Sequence, residues 1–554
     1  MDTDVIVVGA GPTGLMLAAE LALGGASVLV VEALPERSGQ SKALGVQPRT
    51  AEVLELRGLL EPLLAGGVQR VPGGHFAGMR LDFTAWDTAH PYMIGTPQST
   101  VERVLEGRVR ELGVRVLRGQ PLVELWQDDA GVSARLGDGA GLRGAWLAGC
   151  DGGRSTVRTL LGVDFPGLEG RQAMAVADIR LAGRVGARWR LPEMTPSPAG
   201  RAYLTPLEGG VHRILFYGPE QQDLPREAPV TEQEVGRALM LLPEPEARLE
   251  SIVWASRFSD ASRQVEDYRH GRVLLAGDAA HIHSPMGGQG LNLGVQDSFN
   301  LGWKLAAQVR GHAPAHLLDT YHAERHPVAA RVLANTRAQS LLLVAQEEHL
   351  ALREIVAGLL AVPEANAVVA GMISGLDIGY ELPGPAHPLL GRRLPGAPAL
   401  PDGRGALLGA GPELRALADQ WGSRVAVSQE TGQETTKEAV LVRPDGYVAW
   451  AGHRKQELAE ALHHWFGPPA LTPAAESGPC ADCPLGAVRP RHRRCPSRCP
   501  SCASVRQPVQ LVGQSSGGGT DAVVQGRLLV WEDQVDRQAG RAPQWSPGET
   551  GRLR

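Results

Sequence analysis

An α/β fold is what the sequence predicts, with a parallel sheet at the N-terminus, an antiparallel sheet after it and a small α/β module towards the C-terminus. Three observations carry this. The chain opens with an apolar run, a glycine turn and an amphipathic stretch; residues 172–264 change to alternating segments; and apolar strand and helix patterns return near Gly271.

The opening run DVIVV (residues 4–8) reads as a buried strand. Leu15 to Leu23 follow with helical spacing, and residues 26–31 read as a second strand, so the first element is a β-α-β unit. Strand signals recur near residues 114–117 and 145–148. From residue 172 the strings RAYLTPL and VHRILFYG alternate as half-buried antiparallel strands do. At Gly271 the strand RVLLAG leads into LNLGVQDSFNLGWKLAAQVRG, with Leu291, Val295 and Phe299 on one helical face, and here the first domain is expected to resume. Residues 382–405, rich in Gly and Pro, read as a linker, after which RVAVSQ, AVLVRPDGYVAW and ELAEALHHWF form the small module. The expected division is a discontinuous first domain at 1–171 and 265–385, a middle sheet domain at 172–264, a C-terminal module at 386–469 and a disordered tail at 470–554. That accords with 554 residues, too many for a single ordinary core.

Sixty acidic against 55 basic residues give a net charge of −5, which supplies no electrostatic reason to bind nucleic acid or an anionic membrane. The start lacks a basic signal-peptide region and no long apolar run follows, so a cytoplasmic protein is expected. Five of the six cysteines lie in the tail at 480, 483, 495, 499 and 502, so the body is not a disulfide scaffold. Their spacing supplies thiolates for a zinc site, but the interleaved Pro and Arg favour a disordered extension, and no metal is expected.

In GAGPTG, Gly9, Gly11 and Gly14 separate strand from helix, where small residues permit a tight turn, close approach of a pyrophosphate and close helix packing. Pro12 and Thr13 open the helix, whose N-terminus faces phosphate charge. Glu32 ends the second strand, where its carboxylate can accept hydrogen bonds from a ribose. By itself this motif does not separate FAD from NAD. A second segment, GDAAHIHSPMGGQGLN, does: Asp278 follows Gly277 at a strand end, and Pro285, Gly288 and Gly290, with Gly287, let backbone approach a planar ring just before a helix beginning at Leu291 and Asn292. His281 and His283 suggest a metal pair but lack a third ligand and are expected to pack or cap.

Together with CDGGRSTVR at 150–158, these motifs resemble the class A FAD-dependent aromatic hydroxylases, whose fold is that of para-hydroxybenzoate hydroxylase, over residues 2–467. The resemblance implies flavin and nicotinamide-region roles for Asp151 and Arg158, and flavin or pyrophosphate contacts for Arg49 and Gln98. It implies a Rossmann-like FAD-binding domain, an antiparallel-sheet substrate domain and a thioredoxin-like C-terminal domain, the last without a CxxC motif. It also implies reduction of FAD by NADPH or NADH, capture of O2 as a flavin C4a-hydroperoxide and hydroxylation of an aromatic ring, with no catalytic side chain singled out. Strings such as SKALGVQPRT, LLDTYHAERHPVA and LVRPDGYVAW are similar to hydroxylases of aromatic polyketide antibiotics, of angucycline and tetracycline type, and to rifampicin monooxygenase. A polycyclic polyketide is therefore the expected substrate; Baeyer–Villiger oxygenation and antibiotic inactivation are the enzymatic alternatives, and a non-enzymatic flavin-binding protein is the rival from another class. Phe76, Phe83, Trp86, Tyr203, Arg213 and Phe216 are the candidate substrate residues, weighed against ordinary core roles.

Overall fold

In the computed structural model, residues 1–183, 185, 197–244, 246–428 and 438–469 are described, so the Cys-rich tail lies outside the described residues. The first strand, Thr3–Val8, is β-branched on both faces and almost wholly buried, as a central parallel strand must be. It pairs in parallel with Val28–Glu32 on one side and Gly141–Gly149 on the other. Arg115–Arg118 extends the sheet beyond Val28–Glu32, and Val273–Leu275 adds in parallel beyond Gly141–Gly149. An antiparallel excursion, Leu122–Asp128 and Gly131–Leu136, hangs from the early part of Gly141–Gly149.

Helix Pro12–Leu23 packs on this sheet, and helix Gly290–Val309 packs on Pro12–Leu23. Their closeness is set by glycine: a Cβ at Gly24 would come 2.4 Å from the Ala306 Cβ, and one at Gly302 would come 2.3 Å from the Glu20 Cβ. Nearly every residue of Gly290–Val309 is buried, which marks it as an interior helix rather than a surface one.

The second sheet has the strand order Arg201–Pro206, His212–Tyr217, Ala173–Ala182, Arg248–Ser259, all antiparallel. Ala175, Ala177, Ile214 and Phe216 point to one face and pack on Val235 and Ala238 of helix Glu232–Leu239. The other face looks towards the first sheet's loops. Three further helices, Thr320–Leu341, Glu347–Leu360 and Pro363–Ser374, follow, the last two not expected from the sequence. Among the described residues no single helix is long and apolar enough to cross a membrane.

The C-terminal sheet runs Val425–Val427, Gly405–Leu408, Ala439–Val442, Val448–Gly452. Its junction with the rest of the body is ionic and dry. Glu324 accepts from Lys304 Nζ at 2.9 Å and from both terminal nitrogens of Arg443 at 2.7 Å, and Arg443 Nε also donates to Asp445 at 3.0 Å. Arg57, with Glu20 on its Nε and Nη2, donates further to the Leu400 and Pro444 carbonyls.

Candidate active site

At the end of Thr3–Val8 the chain turns through Gly9 at φ +105°, a region that disfavours a side chain. A Cβ there would lie 2.4 Å from the Cys150 carbonyl oxygen, and one at Gly14 would lie 1.9 Å from the Gly9 carbonyl oxygen. A Cβ on Gly11 would meet nothing within 4 Å. Gly9 and Gly14 are therefore required by the protein's own packing, whereas Gly11 borders open space. Helix Pro12–Leu23 begins there with Pro12 in its first turn and no side-chain cap, so its free N–H groups are available to an anion. Thr13 is wedged between Gly277 and Gly294, where added Cβ atoms would sit 2.7 and 2.4 Å from its hydroxyl. Glu32 is pinned at its strand end by the Ala10 N–H at 2.7 Å and the Leu34 N–H at 2.9 Å.

Asp151 accepts from the Ser155 hydroxyl and from the Val157 N–H at 3.0 Å, while Ser155 Oγ caps helix Thr156–Leu160 by accepting from the Arg158 N–H. Arg158 does not meet a surface acid. Its guanidinium donates to the Ala279 and Gly153 carbonyls, both at 2.9 Å, and lies 3.8 Å over the Phe165 ring, so it clamps the CDGGRS loop to the GDAA turn.

Asp278 is exposed at the end of Val273–Leu275, in a turn that Gly277 enters at φ +60°. Asp297, wholly buried, supports this turn from below. It accepts from the Gly277 N–H at 3.2 Å, is bonded to His281 Nε2 at 2.7 Å and accepts from Arg325 Nε at 2.8 Å. Burial pushes its carboxyl up, but Arg325 and His281 outweigh burial and hold it below the usual range.

The glycine loop that precedes Gly290–Val309 has Gly287 at φ +74° and Gly288 at φ +62°. Asn292 fastens it: Nδ2 donates to the Gly288 carbonyl at 2.8 Å and the Gly45 carbonyl at 3.2 Å, and Oδ1 accepts from the Gln47 N–H at 2.8 Å. Gln47 closes the tie by donating to the Gly287 carbonyl at 2.9 Å. Pro285 and Gly288 are exposed, Gly290 is half-buried, and Leu291 packs against the main core. Gln98 is fixed by the Ala43 N–H at 3.1 Å and by Glu102, which brings it beside the exposed Lys42.

Arg49, expected at the flavin or pyrophosphate, has protein partners for its guanidinium. Its guanidinium is buried, donating to Glu52 and to the Asp445 carbonyl at 3.0 Å and lying 4.9 Å from the Tyr447 ring centre. These contacts tie it to the junction with the C-terminal module, and the exposed cation next to Ala43 is Lys42, which the sequence did not single out.

The substrate candidates divide. Phe83 is fully buried beneath Gly74 with Leu81, Leu360 and Ile373, and Trp86 donates to the Ala367 carbonyl at 2.8 Å, so both belong to the core under Pro363–Ser374. Phe216 lies on the helix-backed face of the second sheet. Arg213 is taken by Asp178 in a bidentate pair at 2.7 and 2.8 Å. Phe76 and Tyr203 keep positions compatible with a pocket: Phe76 packs on the cluster of Ala77, Met174, Met286, Leu342 and Leu343, which Tyr217 and Phe258 also join. Cross-strand register puts Tyr203, Tyr217, Met174 and Phe258 on one face of the sheet, and Met286 belongs to the glycine loop. That face therefore stands against the loop.

An open glycine at a helix start, a carboxylate pinned at the neighbouring strand end, an exposed aspartate and a backbone-only loop before a second helix together fit FAD, and define a Rossmann-like flavoprotein. The FAD binding domain family matches residues 2–336, and the family described as aromatic-ring hydroxylase, C-terminal, matches 387–469. Among curated relatives, the 12-dehydrotetracycline 5-monooxygenase/anhydrotetracycline 6-monooxygenase of Streptomyces rimosus is 45% identical over 85% of this chain and 100% of its own. Rifampicin monooxygenase of Streptomyces venezuelae is 44% identical over 84% and 98%. The solved anhydrotetracycline hydroxylase of Streptomyces rimosus superposes with a TM-score of 0.76 at 44% identity, covering 85% of this chain and 100% of that one. An aromatic hydroxylase from angucycline biosynthesis gives 0.76 at 43% over the same shares. The chain belongs to this family of FAD-dependent aromatic-ring monooxygenases.

Proposed function

We propose that this protein hydroxylates a polycyclic aromatic polyketide in antibiotic biosynthesis, consuming NADPH or NADH. The observation that carries the reading is the sheet face of Met174, Tyr203, Tyr217 and Phe258 set against Met286, a broad aromatic and thioether surface beside the glycine loop. Surfaces of this kind suit flat apolar rings. The tetracycline and angucycline enzymes among its relatives act on such rings by name.

Bound FAD supplies the acceptance of hydride, the activation of O2 and the delivery of one oxygen atom. Gly11 and the first turn of Pro12–Leu23 would receive the pyrophosphate, Glu32 the ribose, and Gln98 with Lys42 the neighbouring phosphate edge. Asp278 would meet the flavin chain, and residues 287–292 would offer its ring backbone alone. The positive end of helix Gly290–Val309 would favour negative charge on a flavin ring held there. Asp151 and Arg158 hold their loop in shape at the nicotinamide side rather than reacting. We also read the C-terminal module as thioredoxin-like, supported by its parallel pair Gly405–Leu408 with Val425–Val427 and two antiparallel strands beside them.

Purified protein should be yellow, and anhydrotetracycline or an angucyclinone should accelerate NAD(P)H oxidation with one atom of labelled O2 entering the product. Protein that stays colourless after FAD reconstitution, or turnover indifferent to every polycyclic tested, refutes the reading. The similarity to rifampicin monooxygenase favours a second outcome, oxygenation of a foreign antibiotic, including Baeyer–Villiger insertion. Product structure separates the two, because a new phenol and a new ester gain the same mass at different positions.

A further inference from the structure

Arg201 stands directly across the strands from Tyr217, on the sheet face that meets Met286. Arg353 reaches the same place from helix Glu347–Leu360, its Nη1 donating to the Ala77 carbonyl at 2.7 Å and the Leu342 carbonyl at 3.2 Å. The three groups feel one another's charge: burial pushes the Tyr217 phenol up while Arg201 and Arg353 pull it back, and burial and then Arg201 lower Arg353. The Tyr217 hydroxyl and Arg201 Nε are buried without a hydrogen-bond partner. Among the described residues neither guanidinium has an acid. Elsewhere in the same sheet every deeply buried guanidinium has one: Arg213 holds Asp178, and Arg257 holds Glu234 at 2.7 Å. The three residues are half-buried, and two cations beside a phenol whose hydroxyl, like Arg201 Nε, is shut off from water are unfavourable unless an anion completes them.

We propose that Arg201, Tyr217 and Arg353 bind an ionised oxygen edge of the substrate, the phenolate or enolate of a ring bearing adjacent or 1,3-disposed oxygens. This rests on the polycyclic reading above. A guanidinium offers paired N–H groups to two oxygens at once, and the phenol adds a third donor. Held there as an anion, the ring is electron-rich, which is the state an electrophilic oxygen transfer requires. Arg353 also holds the Ala77 turn, so Arg201 and Tyr217 are the informative positions.

The test is to titrate FAD-loaded full-length protein with alizarin, a dihydroxyanthraquinone whose absorption moves to longer wavelength on ionisation, and with unsubstituted anthraquinone. Wild-type protein should bind alizarin in its ionised colour at a pH where the free dye is largely neutral. Arg201→Gln and Tyr217→Phe should weaken alizarin by about tenfold to a hundredfold and abolish the colour shift while leaving anthraquinone binding unchanged. Arg201→Lys should restore part of the shift. Alizarin bound neutral, or bound equally by wild type and Arg201→Gln, overturns this proposal alone, as does equal weakening of both dyes. If neither dye binds wild-type protein, the polycyclic reading fails and this one with it.

Discussion

Replacing Gly14 with alanine sets a Cβ 1.9 Å from the Gly9 carbonyl oxygen, whereas the same change at Gly11 meets nothing within 4 Å. The two glycines of one motif should therefore fail differently. Alanine at Gly14 gains about 1 kcal/mol of helix propensity. Against this, the contact is with backbone on both sides, so relief means moving helix Pro12–Leu23 off strand Thr3–Val8, and overpacking of that kind costs about 1–3 kcal/mol or more. A net loss of about 2 kcal/mol is expected for the FAD-free protein. Gly11 has φ −79° and ψ −177°, which alanine adopts freely, so Gly11→Ala should leave FAD-free stability within about 0.5 kcal/mol. Its methyl group instead occupies the space offered to the pyrophosphate, and FAD should bind at least about tenfold more weakly. Denaturant unfolding of FAD-free protein reads the first effect and flavin fluorescence titration the second. Equal stability loss in both variants, or FAD affinity unchanged by Gly11→Ala, would refute the division of labour.

Arg49→Met should lower the unfolding midpoint through loss of the Glu52 and Asp445 contacts yet leave FAD affinity unchanged, whereas Lys42→Met should do the reverse; flavin titration beside thermal unfolding checks both. Glu324 is held down to about 2 by Arg443 and Lys304 against the upward push of burial. Because that lies below its unfolded value of about 4.3, the stability it contributes is fully present above that pH and drains away as acid approaches the folded value. Glu324→Gln should flatten this limb of the stability profile and leave Arg443 and Lys304 short of an acid, at a cost of about 3–5 kcal/mol at pH 7. Arg158→Met should loosen the CDGGRS loop and the GDAA turn together, seen as faster amide hydrogen exchange at residues 151–158 and 277–280; exchange confined to one segment would contradict the clamp.

The Rossmann-like sheet and its glycine turn were legible in the sequence because local pattern and local chemistry coincide there: strand, tight turn and helix start are encoded within residues 3–23. The second sheet was legible as alternation, but alternation says only which side chains share a face. Both faces of that sheet are covered, one by helix Glu232–Leu239 and the other by the glycine loop, so alternation alone singled out Phe216 and passed over its neighbour Tyr217, which is the one on the loop side. The junction contacts of Arg49 were illegible for a different reason: its partner Asp445 lies 396 residues onward, and no local pattern announces it. Arg213 is likewise claimed across strands by Asp178. Lys42 carried no signal beyond adjacency to Ala43, whose backbone holds Gln98.

The cluster of Lys304, Glu324, Arg443 and Asp445 also bears on how such enzymes can be cut and recombined. A chimera joined at the 382–405 stretch, where the chain looks most like a neutral seam, inherits acids and bases from different parents on the two sides of a dry contact. Any exchange of the C-terminal module must therefore carry helices Gly290–Val309 and Thr320–Leu341 with it, or match all four charges, and the natural breakpoint lies in the fold rather than in the linker.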